Sequence, residues 1–115
     1  MEREMPPSGH SFAAILACVS RTKSNISDLV SETTIDKKYP SVRAGAEQEL
    51  KNLRAAQTAG QLVGPDRGFV QSAIDDYEIF LKKLDEHGDD VAKATDATLA
   101  EVHQRAAALH VPTSN

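Results

Sequence analysis

The chain has 115 residues, 40% apolar and 26% charged, with a net charge of −4. That is the composition of one ordinary globular domain, long enough to bury a core without staples. Its one cysteine, Cys18, excludes an intramolecular disulfide framework and fits a reducing, cytoplasmic location. The longest apolar run, Phe12 to Val19, has eight residues, far short of the roughly twenty that a membrane span needs.

Residues 1–8 contain Pro6 and Pro7, lack periodicity and read as a flexible tail. The remainder, 9–111, reads as one helical domain with helices at about 11–36, 41–59, 66–87 and 90–110. Ser8 or Ser11 can cap the first helix. Its apolar side carries Phe12, Ile15/Leu16, Val19, Ile26, Leu29/Val30 and Thr33. The polar run Arg21–Asn25 interrupts that side, which suggests a bend or local exposure there. Thr33-Thr34-Ile35 weakens helix propensity and Pro40 disfavours helical geometry at Tyr39, so the helix ends between Thr33 and Lys38.

Ser41 caps the second helix, whose apolar stripe (Val42, Ala46, Leu50, Leu53, Ala56) is thin. Gly60 stops it. Residues 60–68 hold three glycines and a proline, the clearest break in the chain, with Leu62 and Val63 as an apolar plug over the bundle end. Pro65 and Asp66 suit a helix first turn.

The third helix holds three of the five aromatic residues. Its apolar positions fall at 69/70, 73/74, 77, 80/81 and 84, the spacing of one broad buried face. Gly88 ends it, and Asp89 or Asp90 caps the last helix. That helix has the most regular seam: Ala92, Thr95, Leu99, Val102, Ala106 and Leu109. Thr98-Leu-Ala-Glu101 fits a capping box, but the seam runs through it and favours one continuous helix. Glu47–Lys51, Glu78–Lys82 and Glu101–Arg105 are expected surface pairs. Pro112 begins a polar C-terminal tail, 112–115. Four amphipathic segments with short loops make an all-α, up-and-down four-helix bundle the expected fold. A helical hairpin or three-helix unit completing its core by dimerisation is the alternative.

The histidines offer no zinc spacing. His10 and His87 stand apart, and His103 and His110 lie two turns from each other, about 10.5 Å by helical rise. A helical histidine in a four-helix bundle raises the histidine phosphotransfer domain, whose phosphorylated histidine is followed by lysine at the third position. After His103, His87 and His10 that position holds Ala106, Asp90 and Ala13, so the resemblance fails. Ile15-Leu16-Ala17-Cys18 loosely resembles a bacterial lipoprotein box, which would make the chain a membrane-anchored lipoprotein acylated at Cys18. The short apolar run and acidic leader argue against export, and a small buried hydrophobe is the expected role of Cys18.

Asp85-Glu-His-Gly-Asp-Asp90 has oxygen ligands for a divalent ion but lacks EF-hand spacing, and helix caps around Gly88 account for it. Neither a cofactor nor a resident metal is expected. No nucleophile elbow or phosphate loop appears. An enzyme assembled from separate helices, with Arg43 and Arg54 facing a polar pocket, would leave no local trace.

Charge is unevenly spread: residues 1–60 sum to +1 and residues 61–115 to −5. No basic stripe tracks a phosphate backbone, so neither nucleic acid nor membrane is the expected partner. The expected function is a small helical protein–protein interaction module: an adaptor, assembly subunit, immunity-type inhibitor or secretion-system accessory. A small enzyme or ligand-binding bundle with a polar pocket is the alternative. The acidic residues Asp75, Asp76, Glu78, Asp85, Glu86, Asp89 and Asp90 are the expected protein interface, meeting a partner with a basic surface; a homodimer is also compatible. Asp75, Asp76 and Glu78 are expected on a solvated face opposite Ile74, Tyr77 and Leu81.

Overall fold

Serine, proline, glycine and aspartate punctuate the chain where helices begin and end. A computed structural model describes residues 9–60 and 62–110, and it contains four helices: α1 Gly9–Thr34, α2 Val42–Thr58, α3 Pro65–Glu86 and α4 Val91–His110. The expected tails at 1–8 and 112–115, Ser8 as a cap, and the side chains of His10, Leu109 and His110 lie outside what is described.

Local chemistry accounts for the boundaries between α2, α3 and α4. The Ser41 hydroxyl accepts the Ala44 amide at 3.1 Å and starts α2. Pro65 opens α3, where its missing N–H costs nothing. Asp90 accepts the Lys93 amide at 3.1 Å and starts α4. Gly60 and Gly88 take positive φ after α2 and α3, a region open to glycine. Helix α1 is continuous through Arg21–Asn25, and α4 is continuous through Asp96. The capping box at Thr98 is not used, because Thr98 is buried and its hydroxyl donates back to the Ala94 carbonyl at 2.7 Å.

The helices form an up-and-down bundle. Contacts from α2 to α3 step in opposite directions along the two helices: Arg43 meets Asp85 and Asp89, Arg54 meets Glu78, and Gln57 meets Gln71. Those from α1 to α3 step together, Arg21 to Phe69 and Asn25 to Asp76, so α1 and α3 run parallel. The principal packings are α1 on α4, α2 on α3 and α3 on α4.

Phe80, Ile26, Leu29 and Leu84 lie at the centre, each 2% exposed or less, with Ile74, Tyr77, Leu50, Val42 and Ala46 around them. Removing such side chains from water is the main stabilising contribution, about 1.5–3 kcal/mol for each large apolar group. Gly45 lets α1, α2 and their loop approach closely: a Cβ there would stand 2.6 Å from Leu29 Cδ1 and 2.7 Å from the Tyr39 ring.

Several expected faces are rotated or shortened. On α4 the buried line is Ala94, Thr98, Val102 and Ala106, whereas Ala92 is exposed. The seam is offset because α4 packs against both α1 and α3, so a second row shares the burial. On α1 the face is realised from Ile15 onward, but Phe12 and Leu16 are exposed. At 26 residues α1 is about 39 Å long against about 30 Å for the 20-residue α4, so α4 cannot cover all of it. Helix α3 buries Ile79 and Asp76 in addition to the expected row, and leaves Phe69 exposed.

Candidate functional site

The second buried row of α3 produces the most distinctive site. Asp76 follows Asp75 in sequence but points about 100° away around the helix, and this turns it inward. It is 5% exposed. This corrects the expectation of a solvated face: α3 is covered by α2 on one flank and by α1 and α4 on the other, so the direction that holds Asp76 is interior.

The polar run of α1 is its counterpart. Thr22 is 1% exposed, and Asn25 Nδ2 donates to Asp76 Oδ2 at 3.4 Å, long for such a bond. The single Thr22 proton serves either the carboxylate or the Cys18 carbonyl at 3.0 Å, not both. A carboxylate can accept about four hydrogen bonds, so Asp76 is under-satisfied. Burial drives its pKa from 3.8 to about 6, opposed by hydrogen bonds from Thr22 and Asn25 and by the charge of Arg21. Among the described residues no cation forms an ion pair with it.

A cavity of about 260 Å³ lies beside this carboxylate, between α1, α3 and α4. Thr22, Ser72, Asp75 and Asp76 form its polar side, and Ile79, Val102 and Ala106 its apolar side. Cys18, half-buried rather than buried as expected, and the exposed Arg105 complete the lining. Arg105 is held by Glu101 at 2.6 Å. Glu101 also receives Lys83 at 3.1 Å, tying α3 to α4, and Lys83 followed by Arg105 holds its carboxyl below the usual range.

The remaining acidic residues are dispersed and largely matched within the chain. Asp75 is half-buried and accepts from Gln71 at 2.9 Å. Glu78 pairs with Arg54 on α2 rather than with Lys82 on its own helix. Asp85 meets Arg43 at 2.7 Å, and Asp89 meets the same guanidinium. Glu86 is 3.5 Å from Lys83, and Asp90 caps α4. Arg43 and Arg54 therefore bridge helices at the surface and do not face a common pocket. His87 and His103 are exposed. Among the described residues no three His, Cys, Asp or Glu side chains converge as metal ligands, and no helix is long and apolar enough to cross a membrane.

Five large apolar side chains are exposed among the described residues: Phe12, Leu16, Ile35, Val63 and Phe69. Phe12 and Leu16 are in the first turns of α1. Val63 and Phe69 flank the start of α3, which runs parallel to α1. Four of the five thus lie toward one end of the bundle, Phe69 standing beside Arg21 about 13 Å along α1 from Phe12, and the Asp85–Asp90 acids stand at the other.

Comparison with protein families, curated proteins and solved structures gave no match.

Proposed function

We propose that the protein is a small interaction module that binds another protein through the end of the bundle bearing Phe12, Leu16, Val63 and Phe69. The observation behind this reading is their exposure: 56%, 48%, 71% and 56%. Large apolar side chains exposed singly are commonplace, but their concentration at one end is a feature of contact surfaces. The acidic residues contribute less than the sequence suggests. Glu78, Asp85, Glu86 and Asp89 already have cations from their own chain, and a basic partner would have to displace these. Acting in the cytoplasm is part of the same reading, in keeping with a lone cysteine.

Capture from native lysate by the immobilised chain tests it, with a Phe12→Ser, Leu16→Ser, Phe69→Ser variant and an Asp85→Asn, Asp89→Asn variant alongside. The reading requires a specific captured protein that the first variant loses and the second keeps, both variants showing native circular dichroism. Equal capture by wild type and the first variant refutes it. Selective loss in the second variant would restore the acidic surface as the contact.

A further inference from the structure

The cavity beside Asp76 adjoins that proposed contact, since Ser72 on its wall is one helical turn from Phe69 and Arg21 stands between Phe69 and Cys18. We propose that it binds a small organic cation, a protonated primary amine with a short aliphatic body, with the Asp76 carboxylate as counter-ion.

Four observations converge on this class of ligand. Asp76 is 5% exposed, and the described side chains offer its carboxylate only the Asn25 bond at 3.4 Å and a shared proton from Thr22, whereas it can accept about four. An ammonium group would supply short charge-assisted hydrogen bonds to it and offset the cost of burying the charge. A second carboxylate, Asp75, and the Ser72 hydroxyl share the polar wall, which favours a cation and repels an anion. Arg105, the cation among the lining residues, is engaged by Glu101 instead. Ile79, one turn further along α3, and Val102 and Ala106 on α4 offer an apolar surface to a hydrocarbon body.

Size narrows the ligand further. A cavity of 260 Å³ has room for about eight or nine water volumes, below the span of most drug-sized pockets. The larger hollow at the α2–α3 corner, about 460 Å³, is lined by exposed residues such as Gly60, Arg67 and Gly68 and has no buried charge. It therefore carries no comparable selectivity.

Three molecules of one shape and different charge test the proposal: cyclohexylammonium, cyclohexanol and cyclohexanecarboxylate. The full chain is titrated with each at about pH 8, where Asp76 is ionised, and amide chemical shifts are followed. The ammonium is expected to shift Thr22, Ser72, Asp76 and Ala106 with a Kd on the order of a millimolar, as suits so small a ligand. The alcohol and the carboxylate should bind at least about tenfold more weakly, and D76N should weaken the ammonium by a similar factor. S72L, which fills the cavity without altering its charge, should also abolish binding. Cyclohexanol binding as tightly as the ammonium, full affinity in D76N, or shifts confined to other parts of the bundle would each overturn it.

Discussion

Asp76→Asn removes the one carboxylate buried among the described residues, and its effect on stability follows from linkage. In the folded chain the group titrates at about 6 against an ordinary 3.8. The folded state therefore holds a proton that the unfolded state has lost across that interval, and stability falls as pH rises through it. The favourable contribution is complete below about pH 4 and gone above about pH 6. Each tenfold change in proton affinity is worth about 1.4 kcal/mol, so the roughly hundredfold change here comes to roughly 3 kcal/mol. Most of it, roughly 2–3 kcal/mol, develops between about pH 4 and pH 8. Asparagine does not titrate, so the stability of the variant relative to wild type should rise by about that amount over the same range. Contributions from other groups are common to both proteins and cancel in the difference. The chain has no tryptophan, so urea unfolding is best followed by far-ultraviolet circular dichroism. With a slope of about 1.5 kcal/mol per molar urea, the gap between midpoints should widen by about 1.5 M. A gap constant to within about 0.5 kcal/mol across the range would refute the buried, under-satisfied carboxylate.

Other substitutions probe the core and its polar ties. Phe80→Ala empties the centre of the bundle, where Phe80 is 0% exposed, and should cost about 3–5 kcal/mol by urea unfolding. Gly45→Ala gains about 1 kcal/mol of helix propensity but overpacks against Leu29 and Tyr39 at a cost of about 1–3 kcal/mol. A net loss of about 1 kcal/mol is expected, and a stabilised variant would mean that the contact yields freely. Glu101→Gln breaks the link from Lys83 to Arg105. Because the Glu101 carboxyl titrates below its usual value, its contribution is present at neutral pH and lost as pH falls through the folded pKa. The variant should be less stable than wild type near neutrality, and the deficit should disappear in acid; an unchanging deficit would point to packing instead.

The four helices were legible because a helix signals itself locally. Apolar residues three and four apart mark a buried side, and Ser41, Gly60, Pro65, Gly88 and Asp90 mark ends through their own backbone chemistry. Burial of a polar residue is not local. Asp76 lies about 100° around α3 from Tyr77, and sequence alone leaves open whether that direction meets water or another helix. There was nevertheless a signal. The polar run Arg21–Asn25 breaks the apolar side of α1, and Asp75-Asp76 breaks the composition of α3. Matched, these interruptions become Asn25 and Thr22 beside Asp76.

Residue periodicity, caps and charge balance thus determined the class of fold, the helix order and their ends, because each depends on neighbours within about one turn. The tertiary structure alone decided which acids are paired, that Asp76 is interior, and that a cavity opens beside it. Those outcomes depend on which side of α3 is covered by α1 and α4, a relation between residues some twenty-five to fifty positions apart that no local spacing records.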